Sequence, residues 1–350
     1  MRTVVGTMTG TSMDGVDAVA TSIEGRGLEL QAKFQAIKSN SLVNYQSKLR
    51  KLARDGWTSD EIAQAAKAVG VITRDTIQDL QLNTIDLIAV HGQTIFHQPP
   101  KSVQIIDTTP ICKAFDCTIL TDPRQHDLRL GGEGAPITPL ADWIMFRSAE
   151  QSTAIVNLGG FCNITVLPKN STPHEIGGFD VCCCNLLLNS LAKHFFNCDY
   201  DEYGKYALKG TVNEAAKTQL FNILIAQRHE LRSLGTADNL GIEVFQNFPS
   251  LSPCDALASA TSAIGWCINH ILQDIDRIYL AGGGAMNQSL VLSIRNDGKT
   301  DELNVPIQAR EGMAMAILGT LALDGVSITL PQITGRQETK EIVGWTQVKP

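Results

Sequence analysis

A strand, a glycine-bearing turn and a second strand occur twice in this chain, about 150 residues apart, and this echo restricts the possible folds more than any other feature. The first copy is Thr3 to Met8, the turn Thr9 to Gly15 and Val16 to Ile23; the second is Ala154 to Leu167 around Leu158-Gly-Gly-Phe161. Gly10 and Gly15 let the backbone approach an anion, and Thr9, Thr11 and Ser12 supply hydroxyls and main-chain N–H groups, so the first turn can hold a phosphate. Asp14 and Asp17 repel phosphate; either can hold a hydrated Mg²⁺ or align a nucleophile. An ordinary glycine-rich hairpin is the alternative. A third corner, Arg277-Ile-Tyr-Leu-Ala-Gly-Gly-Gly-Ala-Met-Asn287, is a strand, three glycines and a helix start, suited to close contact with a nucleoside or its α-phosphate.

A chain of 350 residues exceeds the usual size of one core, and the echo predicts two duplicated lobes facing one nucleotide. The expected boundaries are 1–128 for the N-terminal lobe, with the tail 328–350 packing back on it, and 129–327 for the C-terminal lobe. Charged residues at 19% and hydrophobic ones at 43% describe a folded soluble protein. A net charge of -7 without clustered Lys and Arg argues against a nucleic-acid partner. There is no run of 18 apolar residues and no apolar leader after Arg2, so the expectation is a cytoplasmic protein without a membrane partner. Nine cysteines are then expected to be reduced. Cys182, Cys183 and Cys184 are adjacent, lack the spacing of a zinc or redox pair, and read as a buried turn of small thiols.

Between the corners, Glu29 to Ser39 alternates as a third strand, and Asn44 to Arg54 and Ser59 to Leu80 have helical spacing, with Thr58 or Ser59 capping ahead of Glu61. Ile85 to Val90 is a wholly apolar strand, and His91-Gly-Gln-Thr94 follows its carboxyl end, where α/β folds place ligands; His91 and Gln93 are therefore candidate substrate contacts. Val103 to Ile106 and Thr118 to Thr121 are further strands. Gly131-Gly-Glu-Gly-Ala-Pro136, before an apolar helix at Leu140 to Phe146, reads as a cleft loop. Asp180 ends the strand-like Gly177-Gly-Phe stretch before a helix at Asn185 to Phe196, either as a helix cap or as a shielded general base. Asp255 to Ile271 and Glu311 to Leu323 read as core helices, and Ile342 to Trp345 as a strand-like piece of the tail.

Taken together, Gly10-Thr-Ser-Met-Asp-Gly-Val-Asp17, His91-Gly-Gln-Thr94 with His97 and Pro99, Asp122-x-Arg124 with Asp127, Gly131 to Pro136, Asn157-Leu-Gly-Gly160 with Asn163, and Gly282-Gly-Gly-Ala285 with Asn287 resemble the anhydro-N-acetylmuramic acid kinases nearly end to end. The resemblance implies an α/β fold of the sugar kinase, Hsp70 and actin (ribonuclease H-like) superfamily, with two lobes around a central cleft. It also implies a coupled reaction with ATP and Mg²⁺, in which water activated by a carboxylate opens a 1,6-anhydro ring while O6 takes the γ-phosphoryl group, and a homodimer. The family's base falls on Asp180. Gly10, Thr11, Ser12, Met13, Asp14, Gly15, Val16 and Asp17 would meet the ATP phosphates, as would Asn157, Gly159 and Gly160. Gly282, Gly283 and Gly284 would lie near the nucleoside, and Arg124 and Glu311 near the sugar, unless these two form a structural ion pair. Tyr200-Asp-x-x-Gly204 and Gly210 also fit.

Three departures stand out. The Thr-Gly-Pro-Gly that follows the family's aspartate is Val181-Cys-Cys-Cys184 here, although Asn185 is kept. Glu133 replaces a glutamine of the substrate loop, exchanging a donor and acceptor for an acceptor-only anion. The Lys and Arg of a downstream motif are missing from Asn239-Leu-Gly-Ile-Glu-Val-Phe245. The lost cations leave room for a neutral 1,6-anhydrosugar such as levoglucosan, and the cysteine triplet for a catalytically degenerate nucleotide- or sugar-binding relative.

Overall fold

In a computed structural model that describes residues 1–10, 13–55, 57–229, 233–235 and 238–348, the chain divides into two compact units. Unit 1 is Met1–Phe146 with Asn304–Pro350, and unit 2 is Arg147–Leu303. Residues 129–146 and 304–327, expected in the second lobe, thus belong to the first. The reason is packing: the helix Arg310–Leu323 lies on the first sheet, and its Arg310 is paired with Asp142 of the helix Pro139–Phe146.

In chain order the strands are β1 (Arg2–Met8), β2 (Gly15–Glu24), β3 (Gln31–Ser41), β4 (Leu87–Val90), β5 (Gln93–Gln98), β6 (Lys101–Ile105), β7 (Thr118–Thr121), β8 (Thr153–Leu158), β9 (Phe161–Leu167), β10 (Gly177–Cys183), β11 (Arg277–Ala281), β12 (Gly298–Lys299) and β13 (Thr346–Val348). The sheet of unit 1 has the order β13-β7-β4-β1-β2-β3, and that of unit 2 β10-β9-β8-β11-β12. In each unit the first three strands run antiparallel as a meander, and the next two lie parallel to the first, on its other side. This is one topology used twice, which is the physical content of the sequence echo.

The central strands are apolar because both of their faces are covered. All four residues of β4 and all six of β8 are buried. The helix Ser59–Gln78 begins as expected, with Thr58 and Glu61 closing a capping box. β1 and the helix Arg310–Leu323 approach each other closely. A Cβ on Gly6 would lie 2.0 Å from the Gly312 carbonyl oxygen, so only glycine allows this helix to rest where it does.

The structure corrects several local expectations. The strand expected at 103–106 is β6 at 101–105, and it pairs with 93–98, to which the sequence assigned no element, as a separate two-stranded hairpin, β5–β6. The terminal strand is β13, just beyond the expected 342–345, and it pairs antiparallel with β7. The three adjacent cysteines are not a turn. Cys182 and Cys183 finish β10 after a register shift between Asp180 and Cys182, and Cys184 leads into the helix Asn185–Phe196.

Candidate functional site

In unit 1 the turn after β1 is held from outside by its neighbours. Thr9 Oγ1 donates to the Gly92 carbonyl at 2.7 Å, and Gln93 Nε2 donates to the Gly10 carbonyl at 3.2 Å. Met13 N reaches back to the same carbonyl at 3.1 Å with Met13 at φ 56°, and Leu42 N donates to the Asp14 carbonyl at 2.8 Å. The turn is therefore fixed by its carbonyls. Gly15, Val16 and Asp17 are already in β2, with the Val16 side chain in the core. Thr11 and Ser12, expected to face phosphate, lie outside the described residues.

Asp17 faces the other acids of the unit. Burial is the main cause of its raised carboxyl pKa, the Ser39 hydroxyl opposes it, and the charges of Glu311 and Asp14 add to it. Glu311 stands in the first turn of the helix Arg310–Leu323, so the Gly6–Gly312 approach sets how near it comes to β2. Among the described residues no three His, Cys, Asp or Glu side chains converge as a metal cage.

His91, Gln93 and Arg124 meet in one network. His91 is buried, its Nδ1 is 2.9 Å from the Gly92 carbonyl, and its Nε2 accepts from Arg124 Nε at 3.1 Å. Burial, then the Arg124 charge, pushes its pKa down to about 3, so the ring is neutral and His91 is an anchor for Arg124. Arg124 Nη1 also donates to the Gly134 carbonyl at 2.6 Å. Buried Asp127 accepts from Gly134 N at 2.8 Å and from Thr334 Oγ1 at 2.8 Å, and pairs with Arg336. Glu133, half-buried, is held through its N–H to the Thr334 carbonyl at 2.8 Å. The Gly131–Pro136 loop thus belongs to unit 1 and is fastened by the C-terminal segment.

In unit 2, Asn157, next to last in β8, lies directly beside Ala281 at the end of β11, which brings the two glycine corners together. Gly282 has φ 77°, and a Cβ on it would lie 2.5 Å from Asn157 Oδ1. The carbonyls of the first corner are taken up by the helix Asn185–Phe196. Gly159 O accepts from Asn185 N at 3.1 Å, Gly160 O from Cys184 N at 2.9 Å and Leu186 N at 3.2 Å, and Leu158 O from Asn185 Nδ2 at 2.9 Å. Asn185, the one residue kept after the altered Val-Cys-Cys-Cys run, is thereby a structural clamp. Gly283 lies at the surface, with no atom within 4 Å of a notional Cβ.

Asp180 is a strand residue of β10 and not a helix cap, and its Oδ2 accepts from Leu234 N at 2.8 Å. Behind it the thiols of Cys162, Cys182, Cys184 and Cys267 are wholly buried. A hydrogen bond to Cys267 and burial hold the Cys182 thiol well above the ordinary range. Burial does the same for Cys162 and Cys184, so these sulfurs stay protonated and inert. The downstream Asp201 uses both carboxylate oxygens on the Tyr206 and Ala207 N–H groups, which accounts for the Tyr200-Asp pattern as a turn brace.

Reading the sequence missed Arg228. It lies near the end of the helix Glu214–His229 with its guanidinium 4.5 Å from the centre of the Phe179 ring, and its Nε is buried without an acceptor among the described residues. Gln227 beside it ties Cys183 N to the Asp238 carbonyl, next to the stretch where the family cations are missing. A helix-borne cation of this kind has no motif of its own; only the β10 contact reveals it.

Two sheets of the same strand order, each with a glycine corner at the end of its first strand, define a protein of the sugar kinase, Hsp70 and actin class. Residues 2–346 match the family model described as anhydro-N-acetylmuramic acid kinase. The anhydro-N-acetylmuramic acid kinase of Salinibacter ruber is 28% identical over 95% of this chain and 93% of its own length. That of a strain of Bacillus cereus is 26% identical over 96% and 97%. Among solved structures, component A of the (R)-2-hydroxyglutaryl-CoA dehydratase of Acidaminococcus fermentans aligns with a TM-score of 0.45 and 9% identity, covering 91% of this chain and 97% of that one, too distant to add to the assignment. The chain belongs to the anhydro-N-acetylmuramic acid kinase family, and it is a sugar kinase, transferring a phosphoryl group to an alcohol.

Proposed function

We propose that the protein uses ATP and Mg²⁺ to convert anhydro-N-acetylmuramic acid and water to N-acetylmuramic acid 6-phosphate and ADP, in the cytoplasm, as a step in recycling cell-wall sugar. The observation that carries this reading is Asp180: within a chain that matches the family over residues 2–346, the aspartate in the position of the family's base stands on β10 with one oxygen held by a main-chain N–H. Asp180 takes a proton from water as the oxygen attacks C1. The C1–O6 bond breaks, and O6 attacks the γ-phosphorus and displaces ADP. Phosphoryl transfer asks mainly for positioning and charge neutralisation, which suits backbone-lined glycine corners.

In unit 1 the Gly10–Asp17 turn is assigned to the phosphates, with Arg124, Glu133 and Glu311 on the sugar. In unit 2, Asn157, Gly159 and Gly160 are assigned to the phosphates and Gly282 to Gly284 to the nucleoside. Mg²⁺ is usually held by one or two carboxylates plus phosphate oxygens, and it would supply charge neutralisation there. Asp17, whose ionisation is opposed first by burial and then by the charges of Glu311 and Asp14, fits such a cation, with Asp14 as its neighbour. Arg228 offers a positive charge for the lactyl carboxylate, in place of the cations missing from 239–245.

The test is incubation with MgATP and each of anhydro-N-acetylmuramic acid and levoglucosan, following ADP and the mass of the phosphosugar. ADP and a 6-phosphate from the muramyl sugar alone support the proposal. Turnover of levoglucosan alone replaces it with a neutral-sugar kinase, and bound nucleotide without product from any sugar leaves a degenerate relative. A homodimer is proposed on the family resemblance, with sedimentation as its measurement.

A further inference from the structure

One face of the β5–β6 hairpin is polar throughout. Thr94, His97, Ser102 and Gln104 share it, because His97 pairs with Ser102 and Thr94 with Gln104 across the ladder. His97 Nδ1 is 2.9 Å from Ser102 Oγ, and Gln104 Nε2 is 2.7 Å from the same oxygen and 3.3 Å from Thr94 Oγ1. At the two ends of this chain, His97 Nε2 and Gln104 Oε1 are buried with no hydrogen-bond partner among the described residues. A buried polar atom left unpaired is expensive, and two at the ends of one network point to a partner that joins them.

The chemistry of that partner follows from the direction of the hydrogen bonds. Burial, then the Arg124 charge, pushes the His97 pKa down to about 4, so the ring is neutral and carries one N–H. If Gln104 donates to Ser102, the Ser102 hydroxyl donates to His97 Nδ1; His97 Nε2 then bears the hydrogen, and Gln104 is left with a bare carbonyl. If the Gln104 amide is turned over, every bond reverses, and the ends become a bare His97 nitrogen and a Gln104 N–H. With Ser102 accepting from both side chains, its buried hydroxyl hydrogen would have no acceptor among the described residues, so one of these two arrangements holds, and in each one end is a donor and the other an acceptor. A hydroxyl offers one of each but needs both partners within about 3 Å of a single oxygen. The two side chains attach beside Ser102 and two residues further along β6, a separation of roughly 7 Å, which suits a group that spreads its donor and acceptor over two atoms.

We propose that the polar face of this hairpin is the subsite for a neutral secondary amide, the 2-acetamido group of the sugar, with His97 and Gln104 as its specificity residues. The proposal rests on the muramyl-sugar reading above and deepens it, since levoglucosan has no amide. The Gln104 side chain is partly buried with its Oε1 covered, so its amide meets the arriving group by a rotamer change.

The test compares two sugars, anhydro-N-acetylmuramic acid and its analogue with a 2-hydroxyl in place of the acetamido group, in wild type, Gln104→Leu and His97→Phe. The expected result is a KM for the N-acetyl sugar raised at least tenfold in both variants, with KM for the 2-hydroxyl sugar and for ATP within twofold of wild type. Equal losses on both sugars, or no change on either, overturn the amide subsite. Gln104→Glu keeps the shape and the acceptor and removes the N–H: if it loses nothing on the N-acetyl sugar while Gln104→Leu does, Gln104 accepts from the acetamido N–H; if it loses as much as Gln104→Leu, Gln104 donates to the acetamido carbonyl; and if Gln104→Leu loses nothing the proposal fails. Wild type that neither binds the N-acetyl sugar in a calorimeter nor phosphorylates it removes the function reading itself, whereas an active wild type with unaffected variants removes only this subsite.

Discussion

Units 1 and 2 share a strand order and diverge in what they attach to it. In unit 1 the turn after the first strand is held from outside, by Gln93 and by the backbone around Gly92, and it carries Asp14, with Asp17 just inside β2. In unit 2 the corresponding turn is closed from within, its carbonyls taken by the first N–H groups of the helix Asn185–Phe196. That helix start is the usual anion site of an α/β unit, and here its donors are already used. Gly159, Gly160 and Gly282 stay partly exposed and Gly283 exposed, with Asp180 on the edge strand. The comparison teaches that a duplicated topology fixes where corners fall, while inserted segments decide which groups each corner displays: the β5–β6 hairpin in unit 1 and the helix Glu214–His229 in unit 2.

The strongest way to test this division of labour is Asp180→Asn. Turnover is expected to fall by roughly 10³-fold or more while ATP affinity measured by calorimetry stays within a few-fold, because the residue acts on water and not on phosphate. A variant with wild-type kcat would remove Asp180 from its proposed role. Next in size is Asp142→Ala in unit 1. It strands buried Arg310, and denaturant unfolding of that unit is expected to lose about 3–5 kcal/mol. A loss below about 1 kcal/mol would mean that the pair does not secure the helix carrying Glu311.

The glycine corner of unit 2 gives a paired test. Gly282→Ala meets both a positive φ and the Asn157 side chain, so nucleotide affinity is expected to fall about tenfold with about 1–3 kcal/mol of lost stability. Gly283→Ala has open space, and stability within about 0.5 kcal/mol of wild type is expected. Equal effects at the two positions would contradict the geometry. The smallest effect is a pH dependence in unit 1. His91 titrates near 3 when folded and near 6.5 when unfolded, so between these values the unfolded chain holds the extra proton and stability rises with pH. Its contribution is complete above about pH 6.5 and is lost as the pH falls, by about 2 kcal/mol between 6.5 and 5. His91→Gln should flatten that slope in thermal melts taken across this range.

Much of this was legible in the sequence because it rests on local rules. Apolar β4 and β8, the Thr58–Glu61 cap and the three glycine corners follow from period, capping chemistry and φ preference, and the family follows from its motifs. The helix Arg310–Leu323 was legible as a helix but not as a part of unit 1. Its place depends on Gly6 meeting Gly312 and on Asp142 meeting Arg310, contacts across 306 and 168 residues that no local pattern encodes. Asp180 had a cap and a base as rival readings, and only the register of β10 removes the cap. Arg228, His97 and Gln104 became visible through neighbours brought together by the sheets and not through their own spacing.

The fastening of the Gly131–Pro136 loop has a consequence for the order of assembly. Its anchors, Thr334 and Arg336, and the strand β13 emerge from the ribosome some 200 residues after the loop itself. All of unit 2 has been synthesised by then, so a growing chain can complete its second half while its first half still waits for an edge strand and a helix. A nascent polypeptide arrested when residue 305 has just left the exit tunnel should therefore resist protease within unit 2 and be cut readily within 1–146.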